Sequence, residues 1–195
     1  MTMKMVDLCS GLGGASQPMI DNDWEVVRFD NNPLLKDVPF TRSVDIMTMP
    51  KFESDHIDLV WASPPCVDFS LAYAAPKSKA RRAGIPYEPN LDLMLKCKEI
   101  IEQTNPRYWV IENVVGAIKD FLPHLGSPRQ IIGPFVLWGN FPYIHLPPGF
   151  EHSKALNDKT STHPLRSNWK ALVPYPLADG LRIAIQEQHS ILEWV

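Results

Sequence analysis

The sequence predicts an α/β protein whose mostly parallel central sheet is covered by helices on both faces. Short apolar segments, partly β-branched, alternate along the chain with helical segments, as in parallel sheets. Polar residues, glycine or proline follow several of these apolar segments directly, where a parallel strand would end. The length of 195 residues fits one domain with a sizeable core.

The elements follow from these patterns in chain order. The predicted strands cover residues 3–8, 25–29, 42–44, 57–61 and 108–111. A glycine-rich turn follows the first strand and leads into a helix at residues 15–21. A second helix begins near Asn90, a suitable N-cap, and its apolar face is formed by Leu91, Met94, Leu95 and Ile101. A last helix, predicted to close the sheet, follows residues 173–178.

The composition excludes several classes of protein. The net charge of -3 argues against a chain that binds polyanions over its whole surface. Three cysteines without a pairing pattern favour a reducing compartment, and no spacing of cysteine and histidine resembles a zinc site. The sequence has neither a signal-peptide pattern nor an apolar run that could span a membrane. We therefore expect a cytoplasmic protein without a bound metal.

The most informative segment is ASPPCVDFS, residues 62–70. It follows an apolar strand, and its two prolines must end that strand because proline fixes φ and has no N–H. Cys66 is thereby held in a stiff loop at the carboxyl end of a strand, where open α/β sheets bind ligands. A free cysteine is most often inert core, which is our interpretation of Cys9 and Cys97. Cys66 is instead a candidate nucleophile.

A glycine-rich turn and two aspartates form a second candidate site at the same sheet edge. Residues 9–14, CSGLGG, follow the first strand, and glycines there let a ligand approach the backbone. Asp30 ends the second strand roughly 20 residues later, where a carboxylate can accept hydrogen bonds from ribose hydroxyls. Asp45 ends the third strand and can accept a hydrogen bond from an adenine amino group. The pattern indicates an adenosine-containing cofactor, although each aspartate alone is more typical of a turn or a helix cap.

Glu112 follows the apolar strand at residues 108–111 and precedes Asn113. A glutamate in this position is either a buried carboxylate that accepts backbone hydrogen bonds or a proton donor. Its place on the same sheet edge as Cys66 and the glycine-rich turn favours the second interpretation.

These motifs resemble those of the DNA cytosine-5 methyltransferases. Residues 7–14, DLCSGLGG, are similar to the cofactor motif D-L-F-x-G-x-G-G, and residues 64–70, PPCVDFS, to the nucleophile motif P-C-Q-x-F-S. Residues 112–114 are identical to the E-N-V motif. The resemblance, over residues 3–118, implies the Rossmann-like fold of S-adenosylmethionine-dependent methyltransferases. It also implies methyl transfer to C5 of cytosine in DNA.

The resemblance assigns roles to individual residues. Cys66 would attack C6 of a flipped-out cytosine, Glu112 would hold N3 and the exocyclic amine, and Asn113 would orient the Cys66 loop. S-adenosylmethionine would bind with Asp30 on the ribose and Asp45 on the adenine amine. Gly11 and Gly13 would make room for its methionine portion. The implied cofactor-binding residues are Asp7, Cys9, Gly11, Leu12, Gly13, Gly14, Asp30, Asn31, Asp45, Ile46 and Pro65.

Double-stranded DNA is the implied partner, and in a bacterial or phage-infected cell such a protein would be associated with the nucleoid. A basic cluster follows the nucleophile motif and consists of Lys77, Lys79, Arg81 and Arg82. We predict that this cluster and Ser70 contact the nucleic acid, with the basic side chains on phosphates. The alternative for such a charge run is ordinary solvated surface.

The sequence departs from the family pattern in several places. Val67 replaces the usual glutamine after the cysteine, and Cys9 replaces a common phenylalanine. The Q-x-R-x-R motif is not recognisable, so Arg129 is the nearest candidate for its base-contacting arginine. The late G-N motif is also absent.

The region available for target recognition is short. Fewer than about 60 residues separate Arg129 from the last helix, too few for an independent recognition domain. We therefore predict a catalytic core at residues 1–133, a minimal recognition or loop region at residues 134–172, and a C-terminal helix at residues 173–195. Within the middle region, WGNFP (residues 138–142) and residues 152–170 are candidate DNA contacts, and WGNFP is equally well interpreted as a packed turn.

Two other functions stay open. The short recognition region is compatible with the same chemistry on RNA or on a free cytosine nucleotide. The loss of the late motifs is compatible with an inactive nucleic-acid-binding relative, although Cys66 and Glu112 argue against it.

Overall fold

The computed structural model describes residues 2–49, 56–152 and 162–192. The strands are β1 (Lys4–Leu8), β2 (Glu25–Asp30), β3 (Thr41–Ser43), β4 (Leu59–Ala62), β5 (Tyr108–Val114), β6 (Gln130–Ile132) and β7 (Phe135–Asn140). The α-helices are α1 (Gln17–Ile20), α2 (Pro76–Ala83), α3 (Asp92–Thr104), α4 (Ile118–Leu125), α5 (Arg166–Ala171) and α6 (Tyr175–Leu192). Among these described helices, none has the length and apolar character needed to cross a bilayer.

The strands form one sheet in the order β3-β2-β1-β4-β5-β7-β6. Strands β1 to β5 are parallel, whereas β7 is antiparallel to both β5 and β6. The chain moves outward from β1 to β3 and then returns to place β4 on the other side of β1. The carboxyl ends of β1 and β4 therefore lie side by side at a switch point, where open α/β sheets bind ligands. The predicted mostly parallel α/β sheet is confirmed.

Alternate side chains of the central strands enter two apolar cores, one on each face of the sheet. Trp61 of β4 belongs to the core that includes Met19 of α1 and Leu181 of α6. Its neighbour Val60 belongs to the opposite core, with Met94 of α3. Because both faces are covered, β4 is apolar at every position rather than at every second one.

Helix α3 agrees with only part of its predicted apolar face. Asn90 Oδ1 accepts a hydrogen bond of 2.7 Å from the backbone N–H of Asp92 at the start of the helix. Met94 is buried, but Leu95 is 38 % exposed, so its assignment to the buried face is wrong. Cys97 is buried instead, because it lies three residues after Met94 and shares its side of the helix.

The β-hairpin of β6 and β7 was not predicted, and it moves one proposed boundary. β7 pairs with β5 along its whole length, and Trp138 within it is fully buried. The first three residues of the WGNFP segment are therefore strand and not a packed turn. A boundary after residue 133 would separate β6 from β7, so residues 135–140 have to be assigned to the central sheet. Residues 153–161 of the other candidate contact segment lie outside the described residues.

Candidate active site

A cavity of about 910 Å³ opens at the carboxyl edge of the sheet. Residues at or just after the ends of β1, β2, β4 and β5 contribute to its walls. The predicted site residues that line it are Cys9, Gly11, Leu12, Gly14, Asp30, Asn31, Asp45, Ile46, Pro65, Cys66, Ser70 and Glu112. The candidate nucleophile and most candidate cofactor residues therefore share one continuous space.

Cys66 lies half-buried in a tight loop after β4. Its carbonyl oxygen accepts hydrogen bonds from the backbone N–H groups of Phe69 and Ser70, at 3.1 and 2.9 Å. Pro64 and Pro65 restrict the chain that leads to it. The thiol is thus carried by a restrained turn in the cavity wall, not by a core element.

Strand β5 brings Glu112 and Asn113 to this loop. Both residues lie within β5 rather than after it, because the strand continues to Val114 along its partner β7. Asn113 is 1 % exposed, and its Nδ2 donates a hydrogen bond of 2.9 Å to the carbonyl oxygen of Pro64. Its Oδ1 accepts a hydrogen bond of 2.9 Å from the N–H of Val114. Asn113 therefore ties β5 to the Cys66 loop from behind, while Glu112 lines the cavity.

The three glycines of the turn, Gly11, Gly13 and Gly14, lie against different neighbouring residues. Gly11 has φ +55°, a backbone conformation that favours glycine, and a Cβ added there would be in ordinary contact with Nδ2 of Asn168, at 3.8 Å. A Cβ on Gly14 would lie 2.4 Å from the carbonyl oxygen of Val173, so Gly14 permits the chain before α6 to approach. Gly13 has φ +77°, and its Cβ would lie 2.2 Å from Cζ of Arg28. Gly13 thus makes room for Arg28 behind the turn.

A buried guanidinium supports the turn from behind. Arg28 of β2 is 1 % exposed, and it donates hydrogen bonds to the Gly13 carbonyl oxygen at 2.9 Å and to Ser16 Oγ at 2.8 Å. Ser16 Oγ in turn donates to Asp7 Oδ2 at 2.6 Å. Burial raises the pKa of Asp7 to about 7, against the opposing effects of the Ser16 hydrogen bond and the Arg28 charge. Asp7 is fully buried and does not line the cavity, so it can act on a ligand only through the turn.

Asp30 and Asp45 line the cavity and also bind backbone N–H groups. Asp30 Oδ2 accepts a hydrogen bond from Gly11 N–H, and its Oδ1 accepts one from Asn32 N–H, both at 2.9 Å. Asp45 Oδ1 accepts a hydrogen bond of 2.9 Å from the N–H of Met47, at the start of a short 3₁₀ helix. A carboxylate has about four lone-pair sites, so these bonds leave acceptor capacity for a ligand. The cap and the ligand interpretations are therefore compatible.

Cys9 forms part of the cavity wall with φ +56°. A side-chain hydrogen bond with Cys97 and, second, burial raise the pKa of the Cys9 thiol well above its ordinary value. These contacts keep the thiol protonated, whereas a nucleophile needs the thiolate. Cys9 is therefore a wall of the site rather than a second nucleophile.

The fold separates Lys77 from the other members of the basic cluster. Lys77, in the first turn of α2, forms an ion pair of 2.5 Å with Asp120 of α4. Its ammonium also donates a hydrogen bond of 2.9 Å to the carbonyl oxygen of Gly116. These bonds fasten α2 to the chain after β5, so Lys77 is not available to bind a phosphate in this arrangement.

The other three basic residues, Lys79, Arg81 and Arg82, are exposed on α2. The guanidinium of Arg82 lies over the ring of Tyr73, 3.9 Å from its centroid. Tyr73 is 80 % exposed, and Ala72, directly before it, and Ala75, two residues after it, line the cavity. A cationic and aromatic surface therefore borders the cavity near Cys66.

Arg129 does not meet the other candidates. Its Nε donates a hydrogen bond of 2.5 Å to the carbonyl oxygen of Phe141, whose ring centroid lies 5.7 Å from the guanidinium. Phe141 follows the end of β7, which lies beside the amino-terminal end of β5 because the two strands are antiparallel. The guanidinium is thus directed away from the sheet edge that carries Cys66, and Arg129 is not among the residues that line the cavity.

Sequence reasoning did not assign one wall of the cavity to the cofactor site. Helix α5 and the chain after it contribute Ser167, Asn168, Lys170, Ala171, Leu172 and Val173. Apolar surface comes from Phe29, Val44 and Phe135. Because the late G-N motif is absent, no family signal marked this wall in the sequence.

The residues present fit a cofactor that contains adenosine. The cavity volume falls in the range of about 300–1,000 Å³ that is usual for small-molecule sites. One acceptor carboxylate ends β2 and another follows β3, and Gly11, which has no side chain, lines the same cavity and permits close approach of a ligand to the backbone. Within the described part of the chain, no group of three or more His, Cys, Asp or Glu side chains could hold a metal ion. The sheet order and this cavity define a Rossmann-like α/β fold with a cofactor-sized cavity at the carboxyl edge of its sheet.

The sequence comparison identifies the family. The chain belongs to the C-5 cytosine-specific DNA methylases, whose family model matches residues 3–121. Family membership implies S-adenosylmethionine as the methyl donor. The match includes the glycine-rich turn, Cys66, Glu112 and Asn113. A search of the curated proteins gives no match.

Three solved structures are similar to the chain at low sequence identity. A prophage-encoded protein of E. coli, assigned as a DNA modification methyltransferase, is 13% identical with a TM-score of 0.47, over 71% of this chain and 47% of that protein. S. pombe Dnmt2 methyltransferase is 18% identical with a TM-score of 0.43, over 70% and 48%. The 16S rRNA methylase RmtB is 13% identical with a TM-score of 0.42, over 71% and 55%. The chain thus matches about half the length of each.

Proposed function

We propose that this protein methylates C5 of cytosine in DNA, with S-adenosylmethionine as methyl donor and Cys66 as nucleophile. The observation that carries the proposal is that Cys66 and Glu112 line the same cavity as the glycine-rich turn, Asp30 and Asp45. Cofactor and target base would therefore meet in one space. The family match over residues 3–121 supports the same chemistry.

Cys66 solves the main difficulty of the reaction, which is that C5 of cytosine is a poor nucleophile. Addition of the Cys66 thiolate to C6 forms a covalent bond and shifts electron density to C5. S-adenosylmethionine, when bound, supplies an electrophilic methyl group. The transfer of this methyl group to C5 would leave S-adenosylhomocysteine, whose sulfur keeps the electron pair of the broken S–CH3 bond. Loss of the C5 proton to water and cleavage of the bond between Cys66 and C6 would then restore the aromatic ring and free the thiolate.

Glu112 and Asn113 support this step in different ways. Glu112 is 8 % exposed and lines the cavity. We assign it to N3 and the exocyclic amine of the cytosine, where its protonated carboxyl would donate a hydrogen bond to N3 and so stabilise the negative charge that develops there. Asn113 is a positioning residue, since its hydrogen bond to the Pro64 carbonyl fixes the backbone two residues before Cys66. Asp30 and Asp45 are assigned to the adenosine portion of the cofactor.

The exposed surface of α2 supports a nucleic-acid substrate. Lys79, Arg81 and Arg82 can bind phosphates with a salt-dependent affinity. Tyr73 offers an exposed ring against which an unpaired base can stack. In duplex DNA the target cytosine has to leave the base stack to reach Cys66. Recognition of the target would rest on this surface and on the chain between β7 and α6.

A covalent trap tests the proposal directly. DNA that contains 5-fluorocytosine should form a stable adduct in the presence of S-adenosylmethionine, because fluorine at C5 cannot leave as a proton does. Cys66→Ala should form no adduct, while Cys97→Ala, which removes a buried thiol outside the cavity, should still form it. An adduct that survives in Cys66→Ala would refute the assignment of the nucleophile.

The nature of the substrate is tested by methyl transfer from radiolabelled S-adenosylmethionine. Label at C5 of cytosine in duplex DNA, located by bisulfite sequencing, is the expected result. Transfer to RNA or to a free cytosine nucleotide instead, with DNA unlabelled, would keep the chemistry and replace the substrate. Cofactor binding without label on any of the three would favour an inactive nucleic-acid-binding relative.

A further inference from the structure

The wall of the cavity carries more acidic side chains than basic ones. Three acidic side chains line it, those of Asp30, Asp45 and Glu112. Among the described residues of the cavity wall, Lys170 carries the sole cationic side chain. S-adenosylmethionine is complementary to such a set, since it carries a cationic sulfonium, a cationic ammonium and one carboxylate. The carboxylate of the cofactor needs a cationic or N–H partner when it leaves water.

The position of Lys170 places it beside the glycine-rich turn. Lys170 lies in the last turn of α5 and is half-buried. Asn168 of the same helix lies next to Gly11, with its Nδ2 at 3.8 Å from the position of an added Cβ. Leu172, just after the helix, packs against Gly14. The end of α5 therefore closes the cavity over the turn, while Asp30 ends β2 and Asp45 follows β3.

Among the described residues, the ammonium group of Lys170 forms no ion pair and no hydrogen bond. Lys77 shows the contrast, because its ammonium is held by Asp120. A half-buried lysine that lines a cavity rich in acidic side chains, and that is not paired with them, is suited to bind an anionic group of a ligand. The adenosine end of the cofactor has no anionic group, so the carboxylate of its methionine portion is the one available.

We propose that Lys170 of α5 binds the carboxylate of S-adenosylmethionine and so orients its methionine portion across the glycine-rich turn. Lys170 is then a cofactor-binding residue that the sequence motifs do not mark. The inference rests on S-adenosylmethionine as the cofactor, and it is independent of whether DNA, RNA or a nucleotide receives the methyl group.

The test compares two cofactors on matched variants by isothermal titration calorimetry, with no methyl transfer required. S-adenosylmethionine and decarboxylated S-adenosylmethionine differ only in the carboxylate. Wild-type protein should bind the decarboxylated form about 10- to 100-fold more weakly, the loss expected for one charge-assisted hydrogen bond. Lys170→Met should weaken S-adenosylmethionine by a similar factor and should bind the two cofactors with nearly equal affinity.

Two variants complete the design. Lys170→Arg keeps a cation and should retain part of the preference for the carboxylate. Lys119→Met removes an exposed lysine of α4 outside the cavity and should leave both affinities unchanged. Thermal melts of each variant confirm that the protein is folded at the temperature of the titration.

The outcomes separate this inference from the proposed function. Equal weakening of both cofactors in Lys170→Met, or no weakening of either, would overturn the role of Lys170 while leaving the methyltransferase assignment intact. Wild-type protein that binds neither cofactor would contradict the cofactor itself, and with it this inference. A change confined to nucleic-acid affinity in Lys170→Met would assign the lysine to a phosphate and would also overturn it.

Discussion

The buried carboxyl of Asp7 predicts an unusual dependence of stability on pH. Asp7 is fully buried beneath the glycine-rich turn, where its Oδ2 accepts a hydrogen bond from Ser16 and its Oδ1 has no partner among the described residues. Burial raises its pKa from an ordinary 3.8 to about 7. Replacement by asparagine keeps the shape and an acceptor for Ser16, and it removes the titration. We therefore expect Asp7→Asn to change how the free energy of unfolding varies with pH.

The sign follows from proton linkage. Between pH 3.8 and about 7 the folded protein keeps a proton on Asp7 that the unfolded chain has lost, so the free energy of unfolding falls as pH rises. Above about pH 7 the folded state holds an ionised buried carboxylate, and the loss is complete. The difference between the two pKa values corresponds to at most about 4 kcal/mol, at about 1.36 kcal/mol per pH unit. Asp7→Asn should lack this loss.

Urea unfolding at pH 4.5, 6 and 8 measures the effect. The free energy of unfolding of Asp7→Asn minus that of the wild type should rise with pH by about 2–4 kcal/mol. All other titrating groups are common to both proteins and cancel in this difference. Asp37→Asn, at an exposed site, controls for removal of one acidic side chain. Parallel pH profiles for Asp7→Asn and the wild type would refute the argument.

Three further outcomes follow from contacts around the turn and the Cys66 loop. Asn113→Ala leaves the buried Pro64 carbonyl without its partner and should cost about 1–3 kcal/mol in urea unfolding. It should also lower kcat while the cofactor Kd stays unchanged, and a fall in cofactor affinity alone would contradict its positioning role. Gly13→Ala should cost about 1–3 kcal/mol more than Gly84→Ala, because both glycines have positive φ but only Gly13 faces the Arg28 guanidinium. Equal losses in the two glycine variants would show that the Arg28 contact does not matter.

The sheet was predictable from the sequence because its central strands are buried on both faces. Such strands are continuous apolar runs, and β4 shows this with a leucine, a valine, a tryptophan and an alanine that are all fully buried. The residues that follow β1, β2 and β4 are polar or rigid, so they indicated which edge binds ligands. Parallel strands end at the same edge of a sheet, so the fold brings distant residues into one cavity. This cavity is lined by Asp30, Asp45, Cys66 and Glu112, although Asp30 and Glu112 are 82 residues apart in sequence.

The parts that were missed depend on contacts between distant residues. The strand β7 contains Gly139 and lies in a region rich in proline, so it was not predicted as a strand. Two long-range contacts explain why β7 forms. Strand β5 offers an edge with which β7 pairs, and Gly139 lets the two strands approach closely. A Cβ added at Gly139 would lie 2.0 Å from the carbonyl oxygen of Trp109. The Lys77 ion pair with Asp120 spans 43 residues and was equally invisible to local reasoning.

The Cys66 loop is fixed at both of its ends, whereas its middle is exposed. Asn113 fixes its start, and a Cβ at Gly116 would lie 2.0 Å from the Phe69 carbonyl oxygen, so the loop packs closely against the chain after β5. Lys77 fixes its far end through Asp120. Between these anchors lies the exposed Tyr73, beside the cavity. A loop held at both ends keeps the thiol in place while its middle remains available to a nucleic acid, and this division explains why one lysine of the basic cluster serves the fold and the others face solvent.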